Sequence, residues 1–372
     1  MSDSGPAVDI LARSAEPGGI ARGYRAGLRT RLSLLLGLTL GLTFLTVFSL
    51  GAGSFELSPW EVVRALALGA DGPEKTVVWS IRLPRIAAAL ATGFCLGLSG
   101  LATQSLLGNP LASPFTLGIS HGAAFGAAFS IVCLGTGVVG ESVSRTGSAG
   151  LLQLLGMYLV TVFAFMGAMT ATVVILVLAR LRRMAPESVI LAGVALSSLF
   201  ISGTILVQYF ATETELASVV FWTFGDVARS NWPEIGLLSL AGVGALTFFL
   251  FKRWDLNALL AGDETAKGLG VGVERLRLAG MLLASLIAAL ATAFHGVIAF
   301  LGLLAPHIGR RLAGPDHRLL IPFSGLSGSF LLLAADTLGR LMIGSGTLPV
   351  GVLTSFMGAP LFLYLLLKGK RR

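Results

Sequence analysis

The chain has 372 residues, of which 54% are hydrophobic and only 12% charged, and its mean hydropathy is +0.84. A soluble domain carries about 25% charged residues, so this composition excludes a water-soluble fold and predicts an all-α integral membrane protein. In a soluble chain the net charge of +8 would suit nucleic acid; in a membrane chain a basic excess reports topology, and no nucleic-acid partner is expected.

Residues 1–30 are polar and lack the early apolar core of a cleavable signal, so they read as a cytoplasmic tail ahead of a membrane-spanning body from 31 to 372. About 20 apolar residues cross a bilayer, which predicts about ten transmembrane helices. The first is Leu32–Gly51. After it, Ser58 can cap a short helix, with Pro59 at its first position and Glu61 three residues on, while Trp60 and Trp79 suit the interface. The second and third spans are Leu83–Leu107 and Phe115–Leu134, separated by Asn109-Pro110-Leu111-Ala112-Ser113-Pro114. The fourth is Leu152–Leu178 and the fifth Val189–Phe210. A more polar stretch with Trp222, Gly225 and Trp232 leads to the sixth, Ile235–Phe251. A charged segment over 252–277 follows. The last four spans are Leu278–Phe294, Val297–Ile308, Leu319–Leu341 and Leu348–Leu367, before a basic C-terminus.

Charge supports this count. With both termini inside, only Arg64, Lys75, Arg82, Arg85, Arg145, Arg229 and Arg340 fall outside, leaving 20 of the 27 Lys and Arg on the inner side, as the positive-inside rule requires.

The chemistry that can be ruled out is as informative. No Gly-x-x-x-x-Gly-Lys-Ser/Thr phosphate loop is present, and Cys95 and Cys133 form no metal spacing. His121, His295, His307 and His317 are scattered and read as structural. No catalytic residue, metal or resident cofactor is expected. Gly93 and Gly97, then Gly118, Gly122 and Gly126, recur at four-residue spacing, which lets neighbouring helices approach closely. The segment Leu256–Val271 reads as two short helices: Asp255 can cap the first, Gly262 breaks, and Asp263 and Glu264 open the second. Asp336 and Arg340 stand four apart on one face and can pair.

The wording of several stretches resembles one family. Arg82–Phe129 contains RLPR, then Gly and Ser-Gly, Gln104, NPLA and LGIS-x-GA; Leu256–Val271 is similar to LN.L.LGEE.A..LGV. Gly302–His307 matches GL..PH, and Ala335–Pro360 matches AD…R, PVG and GAP. Together these resemble the FecCD-type permeases, the membrane subunits of type II ABC importers for iron-siderophores, haem and cobalamin. Departures are His121 where a small residue is usual, Asp226 for serine, Asp263 for glutamate, and Thr347 for glutamate.

The resemblance implies a homodimer in a bacterial or archaeal plasma (inner) membrane. Its partners would be two ATPase subunits, which hold ATP and magnesium, and an extracytoplasmic substrate-binding protein that delivers a metal chelate. The expected substrate is a ferric siderophore, with haem or cobalamin as alternatives; an ion-coupled secondary transporter is the reading from another class. By the same resemblance, Arg82, Arg85 and Arg340 would dock the binding protein, lipid-phosphate anchoring being the alternative. Asp263, Glu264, Ala266, Leu269 and Gly270 would meet the ATPase. Asn109 and Leu111, with Pro186 and Glu187, would narrow the inner end of the pathway, and His121 would be placed to touch a ligand. The dimer contact is expected at the small-residue stripe of span 3 or at span 5.

Overall fold

The computed structural model describes residues 19–53, 55, 57–67, 72–136, 149–181, 186–342 and 348–369. Most of the expected N-terminal tail, the loop after span 3, Arg182, Arg183 and the last three basic residues lie outside these. Fourteen helices follow one another: α1 (Gly19–Gly51), α2 (Pro59–Ala67), α3 (Pro73–Leu106, with a π-helical turn at Val77–Arg82), α4 (Ile119–Cys133), α5 (Ala149–Leu181), α6 (Pro186–Tyr209) and α7 (Glu213–Thr223). After them come α8 (Trp232–Phe251), α9 (Arg253–Leu259), α10 (Asp263–Gly268), α11 (Val273–His295), α12 (Leu301–Ala313), α13 (His317–Met342) and α14 (Val350–Gly369). Among the described residues seven helices are long and apolar enough to cross a membrane. The shorter α4, α12 and α14 occupy the remaining positions of the ten expected spans.

Local chemistry accounts for the boundaries. Ser58 and Glu61 form the expected capping box, Ser58 Oγ accepting from the Glu61 amide at 3.3 Å and Glu61 from the Ser58 amide at 2.7 Å. Thr212 with Glu215, and Asn231 with Glu234, open α7 and α8 the same way. α3 stops because Gly108 takes a left-handed φ of 58°, and the Asn109 amide turns back to the Gln104 carbonyl at 3.1 Å. Two expectations change. α1 starts well before Leu32, its helix running on into the polar residues that precede the apolar run. Asp255 lies inside the first turn of α9, paired with Lys252 at 3.0 Å, and does not cap it.

α3 is the axis of the bundle, packed against α8, α11, α12 and α13. α4, α5 and α6 form a second group, joined to the first through α11. The glycines make both contacts possible. A Cβ on Gly93 or Gly97 would strike the backbone of Gly328 or Ser324 in α13, and one on Gly122 or Gly126 would strike Gly167 or Phe163 in α5. The stripe of span 3 is therefore used within the chain, which removes it as the dimer contact.

The division between spans 7 and 8 falls at Gly296 (φ 74°) and Phe300 (φ 63°), with non-helical backbone between them. α12 thus begins at Leu301, four residues later than the apolar run suggests. Non-helical backbone survives at membrane depth only where protein covers it. Here Gly225, Gly351 and Gly358 cover it: added Cβ atoms would meet Val297, Phe224 or Phe300. The Gly351 amide donates to Gly225 at 3.1 Å and the Asp226 amide to His295 at 2.8 Å. Three motifs far apart in sequence thus meet around one broken helix.

Candidate functional site

Polar side chains collect at the two ends of α3. At its first end the guanidinium of Arg82 donates to the carbonyls of Leu50, Gly51 and Phe55, and that of Arg340 to Ser49 and Ala52 at 3.2 and 3.0 Å. All but that of Phe55 lie at the end of α1, so both arginines cap its C-terminus, where cations meet the negative end of the helix dipole. Arg85 Nε donates to Asp336 Oδ1 at 2.8 Å, and Arg340 Nε stands 3.2 Å from Asp336 Oδ2. Asp226 lies 4.0 Å from Arg85. Asp336 is fully buried, and Arg82, Arg85 and Arg340 are only 4, 7 and 9% exposed. The structure brings the three arginines together as expected, but seats them in their own chain rather than on open surface. Asp336 pairs with Arg85 as well as with its helical neighbour Arg340.

At the other end, Asn109 accepts from the Leu111 amide at 2.9 Å, holding a tight turn that leaves Leu111 exposed. Pro110 and Pro186 line one cavity of about 400 Å³, so the two predicted gate segments face the same space. Glu187 sits in the first turn of α6. Leu259, Leu260, Gly262 and Asp263 line the same cavity.

The segment expected to meet an ATPase is two short helices, α9 and α10, separated by Gly262 at φ 98°. Glu264, Leu269 and Gly270 are exposed; Ala266 is fully buried by its own chain. Ala266 therefore offers no side chain to a partner, because the inner face of this single-turn helix packs down on the bundle. Asp263 is half-exposed and takes a bidentate pair from Arg277 at 3.0 and 3.1 Å.

Sequence reading missed the groups beneath that segment. Arg277 Nε also donates to the Leu106 carbonyl at 2.7 Å. His317 Nδ1 and its amide both reach Asn257 Oδ1, at 2.8 and 2.9 Å, so Nδ1 carries the proton and the neutral ring accepts from Ser105 at Nε2, 2.8 Å away. Arg310 donates to Gln104. Asp316, in the turn before α13, receives Asn257 at 3.0 Å and Arg318 at 2.7 Å. Burial raises its pKa, but these hydrogen bonds outweigh that and hold it at about 2. The two arginines, Arg275 and Arg277, at the opening of an apolar helix and the Asn within LN.L were the available signals.

Among the described residues no group of three His, Cys, Asp or Glu could hold a metal. His121 packs on Phe115 with ring centroids 4.9 Å apart. His295 is fully buried between Thr92 (2.9 Å) and Ser230 (2.6 Å), a satisfied core histidine.

Comparison with known proteins agrees with this arrangement. A chain of Methanocaldococcus jannaschii named as an ABC transporter permease protein is 51% identical over 88% of this chain and 92% of its own length. The iron(3+)-hydroxamate import system permease of Bacillus subtilis is 34% identical over 86% of this chain and 92% of its own. Relatives of similar identity are named for vitamin B12, hemin and molybdate import. A solved structure described as an inward-facing metal-chelate type ABC transporter superposes with a TM-score of 0.75 at 31% identity, covering 91% of this chain and 99% of that one. The profile of the FecCD transport family matches residues 41–368, and the chain belongs to that family as a multi-pass permease subunit of a type II ABC importer.

Proposed function

We propose that this permease passes a ferric siderophore, handed over by a substrate-binding protein, through a homodimer driven by two separate ATPase subunits. The observation that carries the ATP-driven reading is the α9–α10 segment. Glu264 on α10, and Leu269 and Gly270 just after it, are exposed, and the base of α10 is fixed to α11 by Asp263 and Arg277. An ion-coupled carrier needs a free carboxylate near the midplane, whereas Asp336, the acid within a span, is tied between Arg85 and Arg340. Hydroxamate, achromobactin and ferric-citrate permeases among the relatives support an iron chelate, with haem and cobalamin as the alternatives.

Binding-protein docking belongs at the outer end around Arg82, Arg85 and Arg340. Their burial means that an acidic partner meets a basic depression rather than free side chains. The pairing of Arg85 and Arg340 with Asp336 also fixes those two guanidinium planes for contact with a carboxylate. Asn109, Leu111, Pro186 and Glu187 form the inner gate, and both termini are cytoplasmic, as the charge sorting implies.

The test is uptake into proteoliposomes carrying the permease with its co-expressed ATPase and binding protein. Ferric hydroxamate is expected to accumulate with internal ATP and magnesium, and not with a proton or sodium gradient alone. Gradient-driven uptake without the ATPase would refute the ATP-driven reading. Accumulation of haem or cobalamin in place of the iron chelate would replace the substrate.

A further inference from the structure

Three consecutive residues in the last turn of α3 each hold a buried polar group from a different helix. Gln104 receives Arg310 of α12, Ser105 meets His317 of α13, and the Leu106 carbonyl receives Arg277 of α11. Two of these lead on to the cytoplasmic helices. His317 bonds Asn257 of α9, and Arg277 bonds Asp263 of α10. Gln104, Arg277 and His317 are 2, 4 and 0% exposed, so one partner of each bond is withdrawn from bulk solvent although the bonds border the cavity. Three residues beyond Leu106 lies Asn109, where the gate turn begins.

The chemistry at Arg277 is specific. A helix leaves its last carbonyls without partners. The return of the Asn109 amide satisfies Gln104, and Leu107 satisfies Thr103, but Leu106 takes its bond from Arg277 Nε. The remaining edge of the same planar group grips both carboxylate oxygens of Asp263. One rigid fork thus joins the foot of the outward-facing helix to the end of α3, which a lysine cannot do.

We infer that Arg277 is a positioning residue that transmits displacement of α10 to the gate turn at Asn109–Leu111, with His317 and Asn257 doing the same from α9. Both helices then act on one turn of α3, and a shift of either moves Gly108–Leu111, the non-helical stretch that directly follows that turn. The cavity of about 400 Å³ beside this turn leaves room for the gate to move. This inference rests on the gate and ATPase-contact roles proposed above.

The test uses the permease with its co-expressed ATPase in lipid nanodiscs, in a Cys133→Ser background because Cys133 is exposed. Leu111→Cys is labelled with a maleimide, with and without ATP, magnesium and vanadate, at equal ATPase stoichiometry. The otherwise native chain is expected to change its labelling rate by about fivefold or more, the lower end of ordinary coupling between sites. With Arg277→Lys the change falls below about twofold. Asp263→Asn reduces it similarly, and the double substitution reduces it no further, as residues in one path are non-additive. A full change in both single variants overturns the relay and leaves the gate standing. No change in the native background defeats the gate, and the relay with it. Loss of the ATPase subunit in step with the lost change, in both variants, assigns Arg277 to assembly alone and also overturns the relay.

Discussion

Removing the Asp336 carboxylate would leave Arg85 and Arg340 buried with one counter-charge fewer, while the carbonyls that Arg340 caps remain in place. Breaking a buried ion pair from one side costs about 3–5 kcal/mol, because the surviving charge keeps its desolvation penalty and loses its attraction. Asp336→Ala is therefore expected to lower the thermal unfolding midpoint in detergent sharply and to reduce the yield of folded chain. A midpoint equal to that of the native protein would show that Arg340 is held by the carbonyls at the end of α1 and Arg85 by Asp226, without need of Asp336. The same geometry makes Arg85→Glu a poor probe of docking, since the new carboxylate would face Asp336 at the 2.8 Å contact that Arg85 makes now. At this scale the sequence announced which residues matter and not how they are held. Arg82, Arg85 and Arg340 stood out because cations are rare at the outer face. Their burial depends on where α1 ends, and no local pattern encodes that long-range contact. Ala266 is similar: its motif marked it as an interface residue, yet only the packing of α10 reveals that its methyl group points into its own chain.

The broken helix between α11 and α12 shows what an element requires from segments remote in sequence. Val297–Phe300 contains nothing polar, so hydropathy runs straight through it. The interruption comes from Gly296 and from the left-handed Phe300, a conformation uncommon for a residue with a side chain and tolerated where the surroundings over-determine it. The surroundings are backbone: Gly351 brings the start of α14 against Phe224 and Val297 so closely that a Cβ has no room. Backbone cannot rotate aside as a flexible side chain can, so Gly351→Ala is expected to cost about 1–3 kcal/mol or more through overpacking. Gly244→Ala in α8, which meets nothing within 4 Å, should be neutral or slightly stabilising, because alanine has the higher helix propensity. Thermal unfolding of the two variants side by side separates them; equal midpoints would mean that α14 can move away freely. The Ser58 cap and the Gly262 break were legible because each is a local contest between side chain and backbone. The start of α12 was not, because its cause lies in α7 and α14.

Assembly follows from which faces remain after the chain has packed on itself. Gly122 and Gly126 of α4 are taken up by α5, and Gly93 and Gly97 of α3 by α13, so neither of these two close-approach stripes reaches the outside. α6 differs: only 17% of its central window is buried, and Leu191, Val194, Ile201, Ile205 and Tyr209 lie exposed on one face at helical spacing. Exposure alone would equally suit lipid, and α1 is barer still at 11%. What separates them is position, since α6 starts at Pro186, beside Pro110 on the inner cavity. A gate shared by two copies needs its segments near the two-fold axis, and the helix that rises from the gate must then lie along that axis too. The exposed face of α6 is accordingly expected to meet its counterpart in the second copy, as an isologous contact in which each residue lies near its own symmetry mate. In a Cys133→Ser background, single cysteines at Val194 and Ile205 should form covalent dimers in membranes at native expression. Leu240→Cys in α8 is 71% exposed but remote from the gate, and should remain monomeric under the same oxidant. Monomers alone from the α6 variants would remove this helix from the interface, and dimers from Leu240→Cys would put α8 there in its place.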